Sequence, residues 1–165
     1  MSPNRRNDGR AFEKMIEAVC AQYQAKNLLR LKHVDPPNRI FGGRVIHMAN
    51  PFLDFIGCWT ERAGRLVVME TKSTLEPRLP IMGKSGFTEN QFTALRHWSN
   101  AGAAAFVLWE CHGAVTFLHI GDFVNALDEG RKSVTLGDGQ PVPAGTGFVT
   151  HDFLNVMRRA WPCSP

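Results

Sequence analysis

The sequence contains few cysteines, and they are scattered. No two of them form a C-x-x-C pair, so neither a zinc site nor a disulfide framework is indicated, and we expect a reducing, intracellular setting. No apolar run approaches the length of a membrane span, and the N-terminus is polar rather than signal-like. We therefore expect a cytoplasmic protein without a membrane partner. The four cysteines are Cys20, Cys58, Cys111 and Cys163.

Other signals of specialised chemistry are also missing. The six histidines have no paired spacing of the kind that binds a metal, and no serine or cysteine lies in a recognisable nucleophile motif. No internal repeat or low-complexity segment is present. The histidines are therefore interpreted as structural or surface residues.

The composition is that of one globular domain with a mildly basic surface. The chain has 165 residues, of which 44% are hydrophobic and 21% charged, enough for one domain spanning residues 1–165. The formal net charge is +4 at pH 7 and the pI is about 9.1, which favours a polyanionic partner.

Hydrophobic periodicity predicts helices and strands in alternating groups, which is typical of an α/β sandwich around a mixed sheet. Residues 1–9 are expected to form a flexible basic arm, residues 73–87 a long loop that could cover a substrate, and residues 130–150 a Gly/Pro-rich loop or small hairpin. Helices are predicted at 11–25, 88–101, 122–128 and 152–161, and strands at 28–33, 39–47, 103–110 and 114–120.

The most informative stretch is residues 51–72, PFLDFIGCWTERAGRLVVMETK, which reads as a hairpin. Its turn is Glu61-Arg62-Ala63-Gly64, with Gly64 able to adopt a positive φ. Asp54 and Glu70 are equidistant from Arg62, so antiparallel pairing puts them opposite each other, with Cβ atoms roughly 4.5–5.5 Å apart. Lys72 follows on the face of Glu70, while Thr71 is expected to point away.

Charged groups in so apolar a setting need compensation. Two facing carboxylates repel each other unless a cation lies between them, and oxygen ligands at this spacing suit Mg²⁺. The ion would lower the pKa of its bound water, and Lys72 would orient or deprotonate that water or neutralise developing negative charge. The alternative is an ordinary surface ion pair between Glu70 and Lys72.

Two more residues are candidates for the same site. Glu13 lies at the edge of the apolar stripe of the first helix, where it is either solvated or reaches into the site. Thr88 and Gln91 match a capping box at the start of the helix after the hairpin.

Five motifs appear in the order found in one nuclease family: GRAFEKMIE, LDFIG, METKST, LPI and ENQFTAL. In this order they resemble the RecU-type Holliday junction resolvases of the PD-(D/E)xK nuclease superfamily. The resemblance extends over about residues 9–120. It implies a restriction-endonuclease-like α/β sandwich with a central mixed β-sheet flanked by helices.

The resemblance also implies an activity and a role for each motif residue. The expected protein is a homodimeric, Mg²⁺-dependent endonuclease that cuts four-way DNA junctions, with Mn²⁺ able to substitute. Asp54 and Glu70 would bind the metal together with the backbone carbonyl of Thr71, and Lys72 would be the catalytic lysine. The remaining site residues would be Glu13 and Gln91.

The chain also departs from the family pattern. Residues 36–50 are short where firmicute members carry a projection into the junction, and residues 82–86 resemble extra loop. Such variation occurs in phage-encoded members, so a bacterial or phage-infected host cell is the expected setting. Phosphate contacts are expected from Arg5, Arg6, Arg10, Lys32, Arg39, Arg44, Arg78 and Lys84.

Two other functions fit the same residues. One is a PD-(D/E)xK DNA endonuclease of restriction or repair type. The other is a DNA-binding architectural protein that keeps the fold without the chemistry.

Overall fold

The structure, a computed structural model, describes residues 5–34, 38–41, 44–47, 53–83, 85–145 and 150–162. Side chains are described in all of these ranges except 5–8, 38–41 and 44–47. The helices are α1 (Arg5–Ala25), α2 (Glu89–Asn100), α3 (Ile120–Asp128) and α4 (Phe153–Ala160). The strands are β1 (Arg30–His33), β2 (Asn38–Phe41), β3 (Arg44–His47), β4 (Phe55–Trp59), β5 (Arg65–Thr74), β6 (Arg78–Pro80), β7 (Ala104–Cys111), β8 (Ala114–His119), β9 (Ser133–Thr135) and β10 (Gln140–Pro141).

The centre of the fold is a six-stranded sheet in the order β1-β4-β5-β7-β8-β10. Strands β5 and β7 are parallel, and the other neighbouring pairs are antiparallel, so the sheet is mixed. Helices α1 and α4 cover one face, where they share a buried cluster with Phe55 and Met69. Helices α2 and α3 cover the other face with Val68 and Val107. The predicted fold class, an α/β sandwich with a central mixed sheet flanked by helices, is confirmed.

Helix α1 is longer than the sequence pattern predicts. It begins at Arg5 rather than at residue 11, so residues 5–9 are helical and do not belong to a flexible arm. The predicted apolar stripe is buried, with Phe12, Ile16 and Tyr23 each at most 5% exposed. The first turns carry no apolar stripe of their own, and hydrophobic periodicity therefore could not detect them.

The hairpin of β4 and β5 has the predicted register. Phe55 pairs with Met69 and Trp59 with Arg65, so the pairing is centred on Arg62. The turn contains a 3₁₀ segment, Thr60–Arg62, followed by Ala63 at φ 51° and Gly64 at φ 75°. The positive φ of Gly64 was predicted, whereas that of Ala63 was not.

Two predicted loops form additional strands instead. Within residues 73–87, β6 pairs with β9, and Leu79 and Phe87 are fully buried. Within residues 130–150, β9 joins that small sheet while β10 pairs with β8, so these strands do not form a hairpin with each other. Strands of only two or three residues, in segments rich in Gly and Pro, have no detectable period, and only tertiary packing defines them.

The segment 39–47 was expected to be one extended piece with a bend. It forms an antiparallel pair, β2 with β3, in which Asn38 pairs with His47. The predicted bend at Gly42-Gly43 lies outside the described residues, as do residues 36–37 and 48–50 of the segment that was expected to be a reduced projection.

Candidate active site

The hairpin and the start of α2 meet around one buried carboxylate. Glu70 is 1% exposed and lies midway along β5. Its Oε1 accepts hydrogen bonds from Lys72 Nζ at 2.8 Å and Gln91 Nε2 at 2.5 Å, and its Oε2 accepts one from the backbone N–H of Asp54 at 3.3 Å. Three of the predicted site residues are therefore in direct contact with a fourth.

Lys72 is held from several sides. Its ammonium group is 2.8 Å from Glu70 Oε1 and 3.4 Å from Gln91 Oε1, and it lies 5.1 Å from the ring centroid of the buried Phe87. The side chain is only 16% exposed. A surface ion pair, the alternative interpretation of the Glu70–Lys72 motif, does not describe so enclosed an arrangement.

Gln91 completes the predicted helix cap and also contacts Glu70. Thr88 Oγ1 accepts from Gln91 N at 3.2 Å, and Gln91 Oε1 accepts from Thr88 N at 3.1 Å, which completes the capping box of α2. The cap fixes the side chain at the helix start, and its Nε2 then points to Glu70. The amide is thus oriented by local structure before it contacts the carboxylate.

Asp54 is adjacent to Glu70 but not placed as the hairpin pattern predicts. Strand β4 begins at Phe55, and Asp54 lies in a bend before it, so strict alternation has already ended there. Its Oδ2 accepts from the N–H of Thr71 at 2.8 Å and from the Thr71 hydroxyl at 2.7 Å. Thr71 was expected to point away from the site, and instead its hydroxyl and backbone N–H hold the Asp54 carboxylate.

Glu13 faces this cluster from α1. Burial raises its pKa first and the Asp54 charge raises it further, while His33 and Arg10 oppose the shift. His33 lies between two helix carboxylates, with Nε2 4.0 Å from Glu13 and Nδ1 3.5 Å from Glu17. Sequence reasoning assigned His33 no role, because its proximity to Glu13 depends on the packing of α1 on β1.

The electrostatics of the site are strongly perturbed. Burial, and then the nearby Asp54 charge, raise the pKa of Glu70 to about 8, while Lys72 acts in the opposite direction. Without a bound cation, the folded protein therefore makes ionisation of the Glu70 carboxyl group costly at neutral pH. Such perturbed groups in partly enclosed positions are typical of functional sites.

The residues fit a divalent cation by their charge balance. The Asp54 charge raises the pKa values of both Glu13 and Glu70, and Lys72 is in direct contact with Glu70. No three Asp, Glu, His or Cys side chains in the described ranges are grouped closely enough to hold one ion between them. Asp54 and Glu70 supply carboxylate oxygens, the ligand type that Mg²⁺ prefers, and would hold such an ion if it bound here.

The predicted phosphate-binding residues are only partly described. Arg10, Lys32 and Arg78 are exposed, on α1, β1 and β6 respectively. Arg10 is near enough to Glu13 to lower its pKa, which places one basic residue beside the carboxylates. Arg5 and Arg6 lie on the first turn of α1 and Arg39 and Arg44 on β2 and β3, with side chains outside the described set, as is all of Lys84. Clustering of these residues on one face stays a prediction.

Comparison with known proteins adds a distant structural likeness. No family model matches the chain, and no curated protein matches it. Among solved structures, the chain is similar to a Holliday junction resolvase from the archaeal hyperthermophile Archaeoglobus fulgidus, with 16% identity, a TM-score of 0.48, and coverage of 78% of this chain and 93% of that one. The likeness is too distant to place this chain in a family. Within the described residues, no helix is long and apolar enough to cross a membrane.

Proposed function

We propose that this protein is a Mg²⁺-dependent, structure-selective endonuclease that resolves four-way DNA junctions by paired symmetric nicks. The observation that carries the proposal is the buried Glu70 carboxylate, in contact with Lys72, Gln91 and the backbone of Asp54. A purely structural carboxylate would not favour a second acidic group beside it, since like charges at that range are destabilising. The ordered motifs that resemble the RecU-type resolvases supply the substrate class.

In this proposal the two carboxylates and the Thr71 carbonyl hold the cation, and Mn²⁺ can replace Mg²⁺. A bound divalent ion would neutralise charge on a phosphoryl oxygen and lower the pKa of water. The two hydrogen bonds from Thr71 keep the Asp54 carboxylate in one orientation. This preorganisation reduces the reorganisation needed when substrate binds.

Lys72 contributes positive charge at a defined position. Its contacts with Glu70 and Gln91 restrict its rotamers, and the face of the Phe87 ring stabilises the ammonium group. An ammonium group fixed beside the scissile phosphate can neutralise charge as the phosphodiester is cleaved. Gln91 is a positioning residue for Lys72 and Glu70, and Glu13 adds negative charge from the side of α1.

Resolving a junction requires two symmetric cuts, so we propose a homodimer with two sites related by a two-fold axis. The proposed setting is the cytoplasm of a bacterial or phage-infected cell. Basic residues such as Arg10, Lys32 and Arg78 would contact phosphates, and junction affinity should therefore fall steeply as salt rises.

The test is cleavage of a synthetic four-way junction with both nick positions mapped. The wild-type protein should nick opposing strands symmetrically with Mg²⁺, and Asp54→Asn should lose at least about 100-fold in rate, as expected for loss of a metal-binding carboxylate. Glu76→Gln, at an exposed loop carboxylate, is the matched control and should keep wild-type activity.

Two outcomes would redirect the proposal. Equal cutting of linear duplex would favour the restriction- or repair-type endonuclease. Tight junction binding with no cleavage in Mg²⁺ or Mn²⁺ would favour the architectural protein.

A further inference from the structure

A concavity lies on the α1 face of the sheet, near the Asp54 side of the candidate active site. It has a volume of about 420 Å³, within the size range of ligand pockets. Phe12, Met15 and Leu75 form its apolar wall, and Ser73, Glu110 and His151 contribute polar groups. It opens where β5 ends, between the start of α1 and the turn that joins β7 to β8.

The pocket begins two residues further along β5 than Thr71, the residue that holds the Asp54 carboxylate. Thr71, which holds Asp54, and Ser73, which lines the pocket, are two residues apart on the same strand and so face the same side of the sheet. At a strand rise of roughly 3.3 Å per residue, their Cα atoms are about 7 Å apart. Glu70 and Lys72 alternate with these residues and face α2, so the pocket continues from the Asp54 side of the site. A DNA strand bound at Asp54 would therefore have a neighbouring nucleotide within reach of this pocket.

The polar wall offers fixed hydrogen-bonding groups. Glu110 Oε2 accepts from the Ser73 hydroxyl at 2.6 Å, and Oε1 accepts from the N–H of Gly113 at 2.6 Å. These two bonds orient a carboxylate that retains further lone pairs. His151 Nδ1 is buried without a hydrogen-bond partner among the residues that the structure describes. Burial lowers the pKa of His151, against the opposing effect of Glu110, so the imidazole favours its neutral form.

These groups select against a phosphate and for a neutral, flat ligand. Among the residues that the structure describes, the lining contains a carboxylate and neither lysine nor arginine, so these residues would repel an anion. A nucleobase has an apolar face that can pack on Phe12 and Leu75, and hydrogen-bonding edges for Glu110 and His151. An exocyclic amino group is the donor that the Glu110 carboxylate can accept from.

We propose that this pocket receives one unstacked nucleobase next to the cleaved phosphodiester, with its amino group donating to Glu110. The inference rests on the proposed nuclease function and deepens it. Extracting a base from a duplex is costly, whereas a base that is already unpaired or poorly stacked needs less energy. The pocket would thus contribute to selectivity for branched DNA over linear duplex, and for the bases with an exocyclic amino group, adenine, cytosine and guanine, over thymine at that position.

The experiment combines abasic substrates with a variant in which the pocket is filled. Abasic sites are placed one at a time at each position flanking the mapped nick, and both cleavage rate and dissociation constant are measured, the latter in Ca²⁺ to suppress cutting. The variants are Ala11→Trp, which fills the pocket from α1, and Ala18→Trp, a matched control on the same helix at an exposed residue that does not line the pocket.

For the wild-type protein and Ala18→Trp, one abasic position should reduce cleavage or affinity about 10-fold, the scale of one stacked base. Thymine at that position should bind less well than adenine, cytosine or guanine. Ala11→Trp should bind the intact substrate more weakly than wild type does. Its affinity should not change further with the same abasic site, because the pocket is already occupied.

The inference would be overturned if no abasic position changed the cleavage rate or the affinity of the wild-type protein. It would also be overturned if the abasic site reduced them equally in Ala11→Trp. If the wild-type protein cleaves nothing, the proposed function fails, and the binding series in Ca²⁺ still decides whether a base enters the pocket. If cleavage is normal and no abasic position changes the rate or the affinity, only the pocket assignment fails. Circular dichroism of both tryptophan variants would identify a loss of fold, in which case Ala11→Phe replaces Ala11→Trp.

Discussion

The buried Glu70 carboxylate should make the metal-free protein less stable as pH rises, and Glu70→Gln should remove this dependence. The folded-state pKa of Glu70 is raised from 4.5 to about 8, chiefly by burial. A raised carboxyl pKa means that the folded state binds a proton that the unfolded state has released. Stability from the protonated form is therefore complete below about pH 4.5 and is lost as pH rises toward 8.

The size of the effect follows from the width of this window. Each pH unit between the unfolded and folded pKa values costs up to about 1.4 kcal/mol of unfolding free energy. Glutamine has nearly the same shape and no charge to desolvate. The unfolding free energy of Glu70→Gln minus that of wild type should therefore increase by on the order of 3 kcal/mol between pH 5 and pH 8.

The assay is urea unfolding of both proteins in EDTA at intervals from pH 5 to 8. Adding Mg²⁺ at pH 8 should stabilise the wild type, since the cation replaces the proton as the compensating charge, and should have little effect on Glu70→Gln. Glu76→Gln, an exposed carboxylate without such burial, is the control and should follow the wild type at every pH. Parallel stability curves for Glu70→Gln and wild type would refute the reasoning, because Glu70 would then have to ionise without cost.

Other substitutions test the fold and the contact between the capping residue Gln91 and Glu70. Gly57→Ala should destabilise by about 3 kcal/mol in urea unfolding, because its Cβ would lie 1.8 Å from a carbonyl oxygen of β1, whereas Gly137→Ala should be nearly neutral. Tyr23→Phe should cost about 1–2 kcal/mol, since the hydroxyl joins α1 to the start of α4; an unchanged midpoint would contradict this. Gln91→Ala should reduce both stability and junction cleavage. Thr88→Ala removes the hydroxyl that accepts from Gln91 N but keeps the Thr88 N–H that holds Gln91 Oε1, so it should reduce stability by about 1 kcal/mol and leave cleavage intact.

The sequence alone was sufficient to predict those elements whose signals lie close together along the chain. The turn around Arg62 defined the register of β4 and β5, because a hairpin register depends only on where its turn is centred. The Thr88–Gln91 capping box and the apolar stripe of α1 were equally local, since a helix brings residues three and four apart onto one side. These signals also brought Asp54, Glu70 and Lys72 into one candidate site.

Only the tertiary structure decided what these residues contact. The bend at Asp54 turns its carboxylate toward Thr71, although strand alternation placed it with Glu70. Strands β6 and β9 exist because they pair with each other across more than fifty residues, and such short segments have no period to detect. The position of His33 beside Glu13, and the burial that raises the pKa of Glu70, likewise depend on how helices pack on the sheet. Burial and long-range contacts are properties of the folded chain, and a linear pattern specifies them only indirectly.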